Sequence, residues 1–375
     1  MTLGDHKIKV AVVLPELGGG GAQRTFLNVL NHLDRELFDP ILVLYRPAGS
    51  FRSLLKSDVK IVTLDSVRTL WSIIPLARWI RSESPDVVMS TLLHINVATV
   101  ISGILSRKGV PVVVRESNNL TAAGRPLRTL SGMAVRWAYR RAETVIALSK
   151  GVRRDVIDRY SLKEDRVRMI YNPIDLEAIQ SLSMEKADPL PGWTDDSNQH
   201  RIIAVGRLVP QKGFELLIEA VSQLDAPWRL LIIGEGIEDY NLKALAKNLG
   251  ISKHVIMPGF IANPFPYIAM ADLFVLSSRW EGFGHVIPEA MACGTPVLAT
   301  RCPSGPDEII EEGIDGQLCE PGSSNSLTSN IECLLKSPDI RDRMANTAKV
   351  SVQRFSAGEV IRQYEILFKE LSSDS

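Results

Sequence analysis

Two glutamates stand eight positions apart in the stretch Glu281-Gly282-Phe283-Gly284-His285-Val286-Ile287-Pro288-Glu289. The glycines mark a loop, and Pro288 suits the first position of a helix, which would put Glu289 in the opening turn on the loop's side. Carboxylates so arranged accept hydrogen bonds from vicinal hydroxyls, one on a sugar and the other on a ribose, with glycine amides turned toward phosphate. Upstream, Arg207 and Lys212 lie five residues apart around the turn Leu208-Val209-Pro210-Gln211. Both cations can reach one diphosphate, the guanidinium through paired hydrogen bonds and the ammonium as a point charge. Such a clamp would stabilise negative charge growing on a departing nucleoside diphosphate, in place of a metal.

A third group is the loop Gly18-Gly19-Gly20-Gly21-Ala22-Gln23-Arg24, which follows an apolar run and opens an amphipathic segment with Phe26, Leu27, Val29 and Leu30. Glycines there let the backbone approach a ligand, and a helix N-terminus offers free amides to an anion. A dinucleotide site is disfavoured, because Gln23 replaces the third glycine of the fingerprint and Arg46 stands where a ribose-binding acid is expected. Taken singly, each group has a plainer reading. Glu289 could serve only the helix dipole, Glu281 and the two cations could be solvated surface, and the glycine loop could be an empty turn.

These groups need strands to position them. Short apolar runs alternate with longer amphipathic ones, the pattern of parallel sheets covered by helices. The first half predicts strands at 8–14, 40–45, 59–64, 86–90, 111–114, 144–148 and 167–170, a Rossmann-like sheet. Residues 184–200 are polar and turn-rich, so the reading ends an N-terminal acceptor-binding domain at 183 and treats 184–200 as a linker. A second Rossmann-like sheet follows, with strands near 201–206, 229–233, 254–257, 272–276, 296–299 and 316–318, in a nucleotide-sugar-binding domain spanning 201–354. A closing helix over 355–371, capped by Ser356, buries Val360, Ile361, Tyr364, Ile366, Leu367 and Leu371 and returns to the first domain. Ligands of open α/β sheets bind beyond the carboxyl ends of the strands, so two such sheets predict a site in a cleft between them.

Length and composition agree with two soluble domains: 375 residues, 45% hydrophobic and 23% charged. No apolar run reaches the roughly 18 residues that span a bilayer, and the start lacks a secretory pattern, so the expectation is a cytosolic protein. Cys293, Cys302, Cys319 and Cys333 lack paired metal-ligand spacing and read as reduced thiols. The zero net charge divides unevenly, with 26 basic against 17 acidic residues in 1–180 and the reverse afterwards. A basic first half suits an anionic partner such as phospholipid or a lipid diphosphate, although complementary domain faces would explain it equally well.

Together these residues resemble glycosyltransferase family 4, whose signature is a Glu-Gly-Phe-Gly loop, a second glutamate eight positions on, and Ala-Met-Ala-x-Gly-x-Pro-Val. Glu281 to Gly284, Glu289 to Ala292 and Gly294 to Val297 match it. So do Gly206-Arg207-Leu208, Lys212-Gly213, Gly234-Glu235-Gly236 and Gly305 to Ile310, while the first half agrees more loosely through Gly20 to Arg24 and Tyr171 to Asp175. The resemblance implies a GT-B fold of two Rossmann-like domains facing across a cleft. It also implies a retaining, nucleotide-sugar-dependent transferase that works without metal or other cofactor and without an enzymic nucleophile. Arg207 and Lys212 would hold the donor diphosphate, Glu289 the ribose and Glu281 the transferred sugar, with Phe283 and Gly284 at the donor and Gly19 and Gly20 over its phosphates.

Many relatives carry a histidine just after the fifth strand, where this chain has Arg115-Glu116-Ser117-Asn118-Asn119. That form resembles a branch acting in polysaccharide or lipid-linked glycan assembly, with Glu116 near the reacting centre and His94 a further candidate. The implied donor is a UDP-linked hexose or N-acetylhexosamine, with GDP-mannose behind it. The acceptor would be an undecaprenyl-diphosphate-linked saccharide or a lipopolysaccharide core, and nucleic acid is not among the partners. Arg68, Trp71, Arg78, Trp79 and Arg81, then Arg125, Arg128, Arg136, Trp137, Arg140 and Arg141, suit peripheral contact with an anionic membrane or, equally, helices with a solvated basic face. The competing readings are a nucleotide-sugar 2-epimerase of the same fold and a non-catalytic nucleotide-sugar-binding subunit.

Overall fold

The structure, a computed structural model, describes residues 7–18, 21–124, 129–195 and 198–373. The chain divides into two compact units, Met1–Ile174 with Phe355–Ser375, and Asp175–Arg354.

In the first unit, seven parallel strands stand in the order β3-β2-β1-β4-β5-β6-β7. They are β1 (Ile8–Leu14), β2 (Phe38–Leu44), β3 (Lys60–Thr63), β4 (Val87–Thr91), β5 (Val112–Glu116), β6 (Thr144–Ala147) and β7 (Val167–Met169). Five helices alternate with them: α1 (Gly21–His32), α2 (Thr69–Glu83), α3 (Leu93–Ser106), α4 (Leu130–Arg141) and α5 (Lys150–Tyr160). The central strands are apolar along their length because both faces are covered. Val10, Val12 and Leu14 pack with α1, whereas Ala11 and Val13 pack with Leu76 and Ile80 of α2. The strand order reverses between β1 and β4, so the loops leaving those strands flank the crevice where ligands of this topology bind.

The second unit begins with α6 (Leu176–Ser183) and holds six parallel strands in the order β10-β9-β8-β11-β12-β13. These are β8 (His200–Val205), β9 (Trp228–Ile233), β10 (Val255–Gly259), β11 (Leu273–Leu276), β12 (Val297–Thr300) and β13 (Gln317–Cys319). Its other helices are α7 (Phe214–Val221), α8 (Asp239–Asn248), α9 (Phe265–Ala269), α10 (Val286–Cys293), α11 (Pro306–Ile309), α12 (Ser324–Leu335) and α13 (Pro338–Ser351). Here the reversal falls between β8 and β11, the strands that lead into Arg207 and Glu281.

The domain limit at 183 and the linker at 184–200 require correction, since this stretch belongs to the second unit. Asn263 Nδ2 donates to Leu182 O at 3.0 Å and to Glu185 Oε2 at 2.8 Å, Tyr267 OH donates to Asp188 O at 3.0 Å, and Trp193 is fully buried. Its polar composition therefore disguises an anchored segment. The last helix, α14 (Ala357–Ser373), does pack in the first unit, where Val360, Ile361, Tyr364, Leu367 and Phe368 enter the β1–β2 core. Phe368, rather than the expected Ile366, fills that core. Its ring meets Phe38 edge-on at 6.3 Å, a burial worth roughly 2 kcal/mol or more.

Candidate active site

Glycines set the backbone that carries Arg207 and Lys212. A Cβ on Gly234 would lie 1.9 Å from Gly206 O and one on Gly236 would lie 2.2 Å from Leu208 O, so the ends of β8 and β9 meet backbone to backbone. Leu208 N donates to Glu235 O at 2.8 Å and holds that contact. Pro210 to Lys212 form a short 3-10 turn that ends at Gly213, whose φ of 60° opens the way into α7.

This turn is stitched to the loop after β11. Ser277 Oγ donates to Lys212 O at 2.9 Å, Arg279 N to Gln211 O at 2.8 Å, and Gln211 Nε2 to Trp280 O at 2.9 Å. Lys212 Nζ consequently reaches Glu281 Oε1 at 2.5 Å, and Ser278 Oγ donates to the same oxygen at 2.6 Å. The pair is largely enclosed, with side-chain exposures of 13% and 8%. Such a pair orients both groups more than it stabilises the fold, since desolvation offsets most of the attraction. Among the described residues Glu281 Oε2 has no hydrogen-bond partner, nor do the other two N–H groups of Lys212. Arg207 is exposed, and its guanidinium makes no hydrogen bond or ion pair among the described residues.

Glu289 lies in the first turn of α10 and is buried. The helix starts at Val286, two residues before the proline expected to open it. Gly284 has φ 91°, and a Cβ on Gly305 would lie 2.2 Å from Phe283 O, so the 303–305 turn presses on this backbone. The Phe283 ring is buried and meets His285 edge-on at 6.0 Å. Its structural part is thus to anchor the glycine loop, with no open ring face for a ligand. Burial, then Glu281, pushes the Cys302 thiol up to about 12, and burial, then Glu289, does the same for Cys293. Neither offers a thiolate near neutral pH. Ser277, Ser278 and Gln211 escaped the sequence reading, although the Ser-Ser pair directly preceding the loop was a usable signal.

In the first unit, Glu116 ends β5 and turns inward. Its Oε1 accepts from Ser117 N at 2.9 Å and Asn118 N at 3.1 Å, and its Oε2 accepts from Tyr139 OH at 2.8 Å. Burial raises its pKa to about 7. Tyr139 OH also receives Asn96 Nδ2 at 2.9 Å, and Asn96 Oδ1 takes Ser90 Oγ at 2.8 Å. This buried chain ties the turn after β5 to the first turns of α3. His94 stands there, exposed, behind Leu92 at φ 73°, a strained value for a bulky side chain. Partial burial pushes the pKa of His94 down. The structure thus brings His94 and Glu116 to neighbouring strand ends, with the carboxylate enclosed and the imidazole open. Asn118, of the Arg115 to Asn119 segment quoted above, is exposed beside Glu116.

Gly19 and Gly20 lie outside the described residues. The flanks of their loop are held by Leu17 N, which donates to Ala48 O at 3.0 Å, and by Phe51 N, which donates to Leu17 O at 3.1 Å. Arg115, fully buried, sits 5.7 Å from the Phe26 ring of α1 and hydrogen-bonds Asn172, while Asn28 Nδ2 donates to Pro173 O at 2.8 Å.

Residues 19–178 match the family model for glycosyltransferase family 4, and residues 191–351 match that for glycosyl transferases group 1. The N-acetylgalactosamine-N,N'-diacetylbacillosaminyl-diphospho-undecaprenol 4-alpha-N-acetylgalactosaminyltransferase of Campylobacter jejuni is 31% identical over 60% of this chain, and the match spans 59% of that protein. The lipopolysaccharide core biosynthesis glycosyltransferase LpsE of Rhizobium meliloti is 27% identical over 92% of this chain and 94% of its own. The Anabaena HepE structure in complex with UDP and glucose superposes with a TM-score of 0.80 at 24% identity, over 97% of this chain and 100% of that one, and shares the two-sheet GT-B fold.

Proposed function

This chain belongs to glycosyltransferase family 4, and on that premise we propose that it transfers a sugar, with retention, from a nucleotide-sugar to a lipid-linked or lipopolysaccharide saccharide. The observation that carries the reading is the Lys212–Glu281–Ser278 cluster at the strand-order reversal of the second sheet. Lys212 and the exposed Arg207 take the donor diphosphate. Glu281 Oε2 takes hydroxyls of the sugar, and Glu289 takes those of the ribose. As the anomeric C–O bond breaks, its electron pair passes to the leaving diphosphate, whose charge the two cations neutralise. The acceptor hydroxyl forms its new bond on the same face and gives its proton to that leaving phosphate oxygen. No protein nucleophile and no metal ion enter this scheme.

UDP is the preferred nucleotide, because HepE of the same fold is held with UDP and glucose. The acceptor class follows the names of the relatives, one acting on a diphospho-undecaprenol saccharide and another in lipopolysaccharide core biosynthesis. The test is binding and slow hydrolysis across UDP-, GDP-, ADP- and dTDP-sugars with EDTA present. Tight binding of one UDP-sugar supports the reading, and release of a 2-epimer without acceptor would replace it by epimerisation. Indifference to every donor would leave a non-catalytic role.

A further inference from the structure

In α2 the buried face consists of Ser72, Leu76, Ala77 and Ile80. On the opposite side Leu70, Trp71 and Ile74 are 77%, 63% and 49% exposed, and Val67, just before the helix, is 72% exposed. Leu70, Trp71 and Ile74 share one face of the helix through their spacing of three and four residues, and Val67 stands just ahead of the N-cap Arg68. These apolar residues are followed along the same exposed side by Arg78 and Arg81, and Arg68 lies 5.3 Å over the Trp71 ring. Trp79, by contrast, packs inward against the β1–β2 side of the core.

The surroundings are basic. Helix α3 packs beside α2, and α4 beside α3. Together these three carry five arginines and one acid, Glu83, which Lys60 at 3.1 Å and Lys9 at 3.6 Å already neutralise. On α4, Met133 and Trp137 are exposed, with Arg141 5.1 Å over the indole. Arg125 and Arg128 lie outside the described residues. Among the described residues no helix is long and apolar enough to cross a membrane.

We propose that the face formed by α2, α3 and α4 docks on an anionic lipid bilayer, with Val67, Leu70, Trp71 and Ile74 entering the interface. Aliphatic groups first, indoles beside them and guanidinium groups beyond is the order of depths at a lipid surface. A protein partner fits less well, because the four apolar side chains from Val67 to Ile74 by themselves offer less than the roughly 800 Å² per side of an ordinary interface. The first turns of α2, α3 and α4 follow the carboxyl ends of strands, the edge where His94 and Glu116 lie. Docking there would bring a lipid-linked acceptor to that edge, a consequence that rests on the proposed function; the docking itself does not.

The experiment is sedimentation of the full chain with vesicles of equal phosphatidylglycerol and phosphatidylcholine, against pure phosphatidylcholine, without donor or acceptor. Strong binding to the anionic vesicles at about 50 mM salt, weakening at high salt, is expected. The Leu70→Ser/Trp71→Ser variant should bind about tenfold more weakly or worse, and Arg78→Gln/Arg81→Gln roughly twentyfold more weakly. Tyr240→Ser, an exposed site in the second unit, should change nothing. All are surface changes, and the arginine pair decides the matter should the serine variant misfold. Indifference of the native chain to anionic vesicles, or equal binding by both α2 variants, overturns the proposal. So does loss of a dimer in those variants with unaltered vesicle binding, which would make a second copy the occupant. Donor hydrolysis should be the same in all four proteins, so its failure would bear on the proposed function alone.

Discussion

Lys212 Nζ lies 2.5 Å from Glu281 Oε1 across two loops that are 69 residues apart in sequence, with Ser278 Oγ on the same oxygen. The contact exists because Gly213 lets the first loop turn beneath Ser277 O, where a Cβ would meet that oxygen at 2.4 Å. One interaction therefore fixes the Lys212 ammonium and the Glu281 carboxylate against each other, the two groups to which the proposed function assigns phosphate and sugar hydroxyls.

Breaking the pair from one side should cost stability. Glu281→Gln or Lys212→Met leaves a buried charge without its partner, and each is expected to lower unfolding free energy by about 3 kcal/mol in urea titrations. The double variant should regain much of that loss while remaining inactive, since both ligand contacts are gone. A double variant that transferred sugar at the native rate would refute the site.

Arg207 should behave oppositely. It is exposed and unpartnered among the described residues, so Arg207→Ala is expected to change stability by less than about 0.5 kcal/mol. Its loss in kcat/KM should be about a hundredfold, the scale for one electrostatic donor to a developing anion. Steady-state kinetics with the preferred UDP-sugar, alongside a denaturation curve, measures both.

Glu116 carries a pH signature. Its carboxyl rises from the usual 4.5 to about 7 through burial, so between those values the folded chain holds a proton that the unfolded chain has released. Stability from this group is complete below about pH 4.5 and is lost as pH rises through 7, by up to about 3 kcal/mol. Glu116→Gln keeps the shape and cannot ionise. Relative to the native chain it should be more stable at pH 8 than at pH 5, as read from urea midpoints. A constant difference across that range would mean that the carboxyl is not held neutral.

The strands were legible because parallel sheets covered on both faces write unbroken apolar runs such as Val10 to Leu14 and Leu230 to Ile233. Glu281, Glu289, Arg207 and Lys212 were legible because glycine and proline punctuate their loops. The linker was misjudged because the carbonyl of Asp188 is anchored by Tyr267, 79 positions away, and Trp193 is fully buried, neither of which composition can reveal. Glu116 was legible as a polar residue at a strand end, but its direction depends on Tyr139 and Asn96, which periodicity alone marks as ordinary helix residues.

Two glycines separate conformational strain from close approach. Gly234 (φ 147°) and Gly322 (φ 75°) both have positive φ, but a Cβ on Gly322 meets nothing within 4 Å, whereas one on Gly234 falls 1.9 Å from Gly206 O. Gly322→Ala should therefore cost about 1 kcal/mol, from backbone strain alone. Gly234→Ala must in addition push β9 away from β8, which displaces the Leu208–Glu235 contact and with it the turn bearing Lys212. It is expected to destabilise by more than about 3 kcal/mol and to abolish donor binding even where the protein remains folded. Calorimetry of both variants with and without UDP-sugar makes the comparison. Equal melting temperatures and equal donor affinities would mean that the β8–β9 contact does not hold the diphosphate turn.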